Sequence, residues 1–409
     1  MIEYINRHIK DAFLKAFAEY PALLLTGSRQ TGKTTLLKRL MEMEEGNRKR
    51  TYISLDDYDA LTLASGDPVL FFQTYKPPVL IDEIQYAPGL LKGMKQLIDS
   101  GAKPGDFWMT GSQLFRMMKG VQESLAGRLA LFHLSPLSQQ EIYPAFRPDA
   151  YKSDYRLLLE RQEKTPGLTA GAVYERIFRG SMPALVSGKF TGRELYYSSY
   201  VKTYLERDVR DISRGIDFLK FTGFIKAAAA RTAQLVNYKH IADDAEIDQE
   251  TAKGWLQLLE TLGIVFFVRP YHNNVLKRMI KTPKLYFYDS GLVAFLTRWN
   301  SPETLMNGAM NGAILENYCI SEIVKGYENS GGEAPIYFYR DKDLKEIDLL
   351  LERDGLLEPL EIKKTASPSK GMISSFTVLE KRGTGALICL AENLSAFDRD
   401  NLIVPVGLL

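Results

Sequence analysis

Apolar and polar positions along this chain follow two periods. Unbroken apolar runs of strand length recur early: Ala22–Thr26, Thr51–Leu55, Pro78–Asp82, Phe107–Gly111 and Leu129–Leu134. Helical or loop stretches separate them. Runs that are apolar on both faces belong to buried strands, and their alternation with helices predicts a parallel sheet covered on both sides. From 153 to 232 the spacing is largely helical. Residues 238–290 predict a short helix from Tyr238, a turn at Ala245–Asp248 and a second helix Gln249–Leu262 with Trp255, Leu258, Leu259 and Leu262 on one face. Strands Ile264–Pro270 and Lys284–Tyr288 complete a winged helix-turn-helix pattern. Beyond 301 a helix around Ile314–Ile320 precedes strands Pro335–Arg340, Glu346–Leu351 and Leu357–Lys363.

The loop between the first strand and the first strong helical stretch reads Gly27-Ser28-Arg29-Gln30-Thr31-Gly32-Lys33-Thr34-Thr35. Two glycines placed so, the second followed by Lys and Thr, make a phosphate loop when a strand leads in and a helix leads out. Gly27 and Gly32 let the backbone curl, the N–H groups and helix N-terminus face a polyphosphate, Lys33 reaches its outer phosphates and Thr34 ligates Mg²⁺. The run Val79-Leu80-Ile81-Asp82-Glu83 supplies an acidic strand tip. Asp82 is the expected metal partner opposite Thr34, and Glu83 the base that orients or deprotonates water. Thr110 and Ser112, at the end of the fourth run, are candidates for touching the terminal phosphate. Arg128 is a candidate arginine finger in cis or from a neighbouring subunit, with Arg29 and Arg116 weaker choices. Arg7 and His8 are candidates for flanking the base or ribose.

Composition narrows the rest. The chain has 409 residues, 45% hydrophobic and 25% charged, a size for two or three globular domains. Two cysteines and four histidines argue against a disulfide framework and a zinc site, and fit a cytoplasmic setting. No signal peptide or membrane-length apolar run is expected. A net charge of +2 neither demands nor excludes nucleic acid. The second helix of the winged pattern carries Asp248, Glu250 and Glu260 against Lys253, which disfavours reading DNA there, while His272, Lys277, Arg278 and Lys281 make a basic wing tip.

Together the phosphate loop, Leu80-Ile81-Asp82-Glu83-Ile84-Gln85, Thr110-Gly111-Ser112, Ser124-Leu125-Ala126-Gly127-Arg128 and Leu134-Ser135-Pro136-Leu137-Ser138 resemble the prokaryotic AAA-type ATPases that carry a C-terminal domain of unknown function 4143. The resemblance spans the chain and implies ATP as the nucleotide, with Mg²⁺. The stretch Tyr200–Arg210 is similar to the family's C-terminal part. It is expected as an amphipathic packing helix, with Arg207 and Asp208 as an interdomain relay the alternative.

In the last region, Glu316 on a helix, Asp348 on one strand and Glu361-Ile362-Lys363 on the next resemble the PD-(D/E)xK nuclease core. Period-two alternation puts Glu361 and Lys363 on one face. The resemblance implies that Asp348 and Glu361 share Mg²⁺, with Glu316 in support and Lys363 stabilising negative charge. The expected fold class is α/β: a phosphate-loop, doubly wound parallel sheet over 1–145, a helical linker or lid over 146–232, a winged helix-turn-helix over 233–300 and a restriction-endonuclease-like α/β domain over 301–409. The expected function is Mg²⁺-dependent ATP hydrolysis coupled to a nuclease-like domain that contacts nucleic acid. The alternative is a switch recruiting a protein partner, with that domain inert. A homo-oligomer fits either reading.

Overall fold

A computed structural model describes residues 4–44, 49–112, 125–143, 149–165, 167–205, 209, 216–272, 282–343 and 345–409. Arg116, Arg207, Asp208, Lys277, Arg278 and Lys281 lie outside them.

The five early apolar runs form strands β1 (Ala22–Thr26), β2 (Thr51–Ser54), β3 (Val79–Asp82), β4 (Phe107–Gly111) and β5 (Leu129–His133). They make one parallel sheet in the order β2-β3-β4-β1-β5. Alternation sorts β1 into two cores: Ala22 and Leu24 pack with Ile81 and Met109, whereas Leu23 and Leu25 pack with Leu36, Leu40 and Trp108. Each fully buried aliphatic side chain contributes about 1.5–3 kcal/mol. Since β4 lies between β1 and β3, the tips of three neighbouring strands open beside the loop after Thr26.

Ten residues, Lys33–Glu42, form the helix leaving that loop, with Leu36, Leu37 and Leu40 buried on one face. Helix Phe218–Ala229, strand β6 (Gln234–Leu235), helices Tyr238–Asp244 and Gln249–Thr261 and the antiparallel pair β7 (Val265–Pro270) and β8 (Lys284–Phe287) follow the expected order of the middle region. Tyr200–Leu205 is a π-helical turn in place of the regular helix expected there, with the Tyr196 and Tyr200 rings stacked at its start, centroids 6.3 Å apart.

The C-terminal strands are β9 (Ile336–Arg340), β10 (Glu346–Arg353), β11 (Leu356–Lys363), β12 (Gly385–Cys389), β13 (Ser395–Asp398) and β14 (Asn401–Pro405). They do not form an isolated sheet. Arg269 and Pro270 of β7 pair in parallel with Tyr337 and Phe338 of β9, so one nine-stranded sheet runs β13-β14-β12-β11-β10-β9-β7-β8-β6. One continuous core extends from Tyr151 to Leu409 over a face of this sheet, with helix Asn311–Asn329 inside it.

Candidate functional site

The phosphate loop has the backbone its sequence demands. Gly27 has φ 137° and a Cβ there would lie 2.2 Å from the Leu134 carbonyl oxygen, so no side chain fits. Gly32 has φ 93° at the N-terminus of helix Lys33–Glu42, and no side chain caps that end. With glycine at the N-cap, no capping side chain occupies that end, and the helix dipole favours an anion beside it. Lys33 is buried, its ammonium donating to the carbonyls of Gly27 (2.9 Å) and Ser28 (2.8 Å).

Across the cleft, Asp82 is 5% exposed and ringed by hydroxyls. Thr34 Oγ1 donates to its carboxylate at 2.8 Å, Tyr52 Oη donates at 3.0 Å, and Thr110 Oγ1 bonds it as well. Burial first, then the Asp82 charge, pushes the Tyr52 phenol up to about 12, so it stays a donor. A buried carboxylate opposite a threonine hydroxyl is a donor set suited to a hard divalent cation. The residues present fit Mg²⁺ and a polyphosphate.

Glu83 has φ 59°, a left-handed backbone that turns its side chain away from the Asp82 direction. Its backbone N–H donates to Thr110 Oγ1 at 3.1 Å. Its carboxylate takes the Gln85 amide, which also donates to Ser112 Oγ at 3.3 Å, and lies 4.0 Å from the Arg29 guanidinium. Thr110 and Ser112 are buried and brace Asp82 and Gln85. Tyr52 is a member that the chain's spacing does not mark, since it reads as an ordinary strand residue, and Gln85, which closes the Leu80–Gln85 stretch of the resemblance, gains its role as the partner of Glu83 and Ser112 only here.

Arg128 does not join them. β5 begins at Leu129, opposite Ala22, whereas the phosphate loop follows Thr26, opposite His133. Arg128 thus stands at the other edge of the sheet, about 16 Å away along the strand, paired with Asp99 at 2.8 Å. The cis form of the arginine-finger expectation is corrected by that placement. Arg7 lines the cleft but acts as a strut. It donates to the carbonyls of Thr31 (2.6 Å) and Ser135 (2.7 Å) and pairs with buried Glu141 at 2.9 Å. The cleft, about 520 Å³, is closed on its far side by Tyr4 and Ile5 and by Pro183, Ala184 and Lys189 of the middle region.

The phosphate loop touches the rest of the chain directly. A Cβ on Gly263, in the turn after helix Gln249–Thr261, would lie 3.2 Å from Ser28 N and 2.8 Å from His133 Nε2. His133 Nδ1 is 3.1 Å from Glu328, which accepts from Tyr288 Oη at 2.7 Å. Lys325 pairs with Glu322 at 2.9 Å and donates to Ser181 Oγ (3.1 Å) and Leu137 O (3.2 Å), all within the core.

The C-terminal set is brought together in part. Leu349 opposite Leu360 sets Asp348 beside Glu361. Lys363 Nζ is 2.5 Å from Glu361 and 3.6 Å from Asp348. Burial and then the Asp348 charge push both Glu316 and Glu361 up to about 7. Leu360 and Ile362 pack in the core that holds helix Asn311–Asn329, so Glu361 and Lys363 alternate to the opposite face from Glu316's helix. Among the described residues no group of three or more His, Cys, Asp or Glu side chains is arranged to hold a metal ion. Lys284, unmarked in the sequence reading, enters this cluster from β8, 3.1 Å from Glu316 and 2.6 Å from Glu346.

Known proteins match in three blocks. The family described as AAA domain matches residues 19–143, a domain of unknown function (DUF8612) matches 171–303, and another (DUF4143) matches 311–409. Uncharacterized proteins of Mycobacterium bovis and Mycobacterium tuberculosis are 27% identical over 361 residues, covering 87% of this chain and 73% of theirs. Among solved structures, the Walker-type ATPase PABY2304 of Pyrococcus abyssi is 16% identical with a TM-score of 0.44, over 72% of this chain and 96% of that one. A DNA replication initiation factor is 16% identical with a TM-score of 0.29, over 66% of this chain and 84% of that one. Among the described residues no helix is long and apolar enough to cross a membrane. With the parallel sheet, its phosphate loop and the C-terminal sheet in place, the chain matches the AAA domain over residues 19–143 and the domain of unknown function 4143 over 311–409.

Proposed function

We propose that this protein binds and hydrolyses ATP with Mg²⁺ and transmits its nucleotide state to the middle and C-terminal regions. The observation that carries the reading is the Thr34–Asp82 pair, 2.8 Å apart, beside a helix N-terminus that no side chain caps and a buried Lys33. When bound, Mg²⁺ would be held by Thr34 and Asp82 and would neutralise charge on the outer phosphates. Lys33, held by two carbonyls, turns its ammonium to the phosphates. Glu83 accepts the proton of the attacking water on its carboxylate. Gln85, whose amide also donates to Ser112, holds that carboxylate, and Arg29 beside it supplies positive charge within the same chain. Tyr4, Ile5, Pro183 and Ala184 line the apolar end of the cleft, suited to a base.

The coupling reading rests on Gly263 against Ser28 and on Arg7 between Thr31 and Glu141. A shift of the loop alters packing at the end of helix Gln249–Thr261 without an intermediary. Isothermal calorimetry with ATP and ADP tests the first half. Uptake by wild type that disappears in Lys33→Ala supports it, and phosphate release that disappears in Glu83→Gln supports hydrolysis. Absence of uptake by folded wild type sinks the reading.

Nucleic-acid contact is a second reading, supported by a different cleft. About 1,020 Å³ in volume, it lies at the β7–β9 junction and is lined by Tyr271, His272, Tyr339, Arg340, Lys342 and Lys381, among others. Aromatic rings among cations suit stacked bases and a phosphate backbone. Salt-sensitive binding of single-stranded DNA or RNA by the ATP-loaded Glu83→Gln variant tests it.

A further inference from the structure

The acid cluster of the C-terminal region already contains its cations. Lys284 projects from β8, a strand of the middle region, and its side chain is 4% exposed. Its ammonium lies between Glu346 at 2.6 Å and Glu316 at 3.1 Å, and Tyr286, two residues along the same strand, donates to the same Glu316 oxygen at 2.7 Å. On the other side of Asp348, Lys363 pairs with Glu361 at 2.5 Å. The Ile362 N–H donates to Asp348 at 2.9 Å, and Arg340 stands 3.6 Å from Glu346.

We infer that Lys284 is the resident cation of this cluster, occupying the electrostatic role a divalent ion would take, and that the cluster is an ion-pair clamp joining β8 to helix Asn311–Asn329 and β10. Three observations carry this. First, a buried lysine is costly to desolvate unless carboxylates surround it. Burial works against the charge here, yet Glu316, Asp348 and Glu346 together raise the Lys284 ammonium above its ordinary range. Second, a dication at Asp348 and Glu361 would have to displace the Lys363 ammonium and sit near a second buried one. Mg²⁺ is usually held by one or two carboxylates and several waters, so it is the two ammonium groups already among the acids, and not a shortage of acids, that oppose it here. Third, Glu361 alternates to the sheet face opposite the helix that carries Glu316. One atom points the other way: Glu361 Oε2 is buried without a hydrogen-bond partner, and the experiment is built around it.

The inference is independent of the ATPase reading, whose metal partner is Asp82. Mn²⁺ uptake by the nucleotide-free full chain, followed by electron paramagnetic resonance, tests it in wild type, Asp82→Asn, Asp348→Asn and Lys284→Met. The expected result is no saturable uptake that depends on Asp348 in wild type, and new uptake in Lys284→Met, which keeps the aliphatic stem but frees the acids. Saturable uptake by wild type that survives Asp82→Asn and is lost in Asp348→Asn overturns the inference, as does Mn²⁺-dependent cutting of labelled DNA or RNA that Asp348→Asn abolishes. Should Lys284→Met not fold, Lys284→Met combined with Glu316→Gln is the second probe. A clamp predicts that removing both charges restores thermal stability lost on removing one, and a double variant no more stable than the single one overturns it.

Discussion

The two ends of this protein put a lysine near a carboxylate at a strand tip and reach opposite electrostatic results. At the phosphate loop, Lys33 donates to two carbonyl oxygens and Asp82 accepts from three hydroxyls. Opposite an uncapped helix N-terminus, that arrangement is poised for an anion and a cation to arrive together. In the C-terminal cluster, Lys284 and Lys363 lie 2.5–3.6 Å from carboxylates and offset part of their charge in place. Asp82 is met by hydroxyl dipoles, whereas the C-terminal acids are met by ammonium groups, which are costly to bury unless so paired.

The largest effect that sharpens this contrast falls on Glu83. Glu83→Gln is expected to lower ATP hydrolysis by about 10²- to 10⁴-fold while keeping nucleotide affinity, read by phosphate release against calorimetry. Lys33→Ala is expected to weaken ATP binding by about 10- to 100-fold, the scale of one charged hydrogen bond, with an unchanged melting temperature. Next comes Gly263→Ala. Its φ of 67° and the close approach of Ser28 and His133 predict about 1–2 kcal/mol lost from the left-handed backbone alone. Nucleotide affinity is expected to fall with stability, because the same Cβ presses on the phosphate loop. Intact affinity in a destabilised variant breaks the coupling argument.

The smallest effect is a pH dependence confined to the C-terminal cluster. Glu316 and Glu361 are raised from 4.5 to about 7 by burial and Asp348. Between these values the folded chain binds more protons than the unfolded one, so their contribution is fully present below pH 4.5 and is lost as pH rises through 7. Replacing both by Gln should flatten the slope of thermal stability over that window, measured by calorimetry in matched buffers. An unchanged slope breaks the account of the cluster.

Much of the nucleotide site was legible in the chain because its chemistry is local. Gly27 to Thr34 are consecutive, and their glycine positions and apolar flanks specify a loop between strand and helix wherever the rest folds. Asp82-Glu83 was legible because an apolar strand ending in acids has few roles beside a phosphate loop. Arg128 stays open in the sequence between cis and a neighbouring subunit because its neighbours there say nothing about which end of the strands it reaches. Tyr52 carries no pattern and the role of Gln85 is not legible in its motif, since both roles arise from β2 lying beside β3 and from the turn at Glu83.

Short-range order was thus written into the residues themselves: strand and helix periods, the curled glycine loop and the acidic strand tip, all set by backbone sterics and hydrophobic burial between near neighbours. Packing alone decided the rest. It placed Gly263 against Ser28, joined β7 to β9 in one nine-stranded sheet, and carried Lys284 to Glu316 across 32 residues. Those pairings depend on how whole elements stack, and in a buried cluster the sum of all charges within a few ångströms, rather than the identity of any one residue, determines whether a metal ion or a lysine balances the acids.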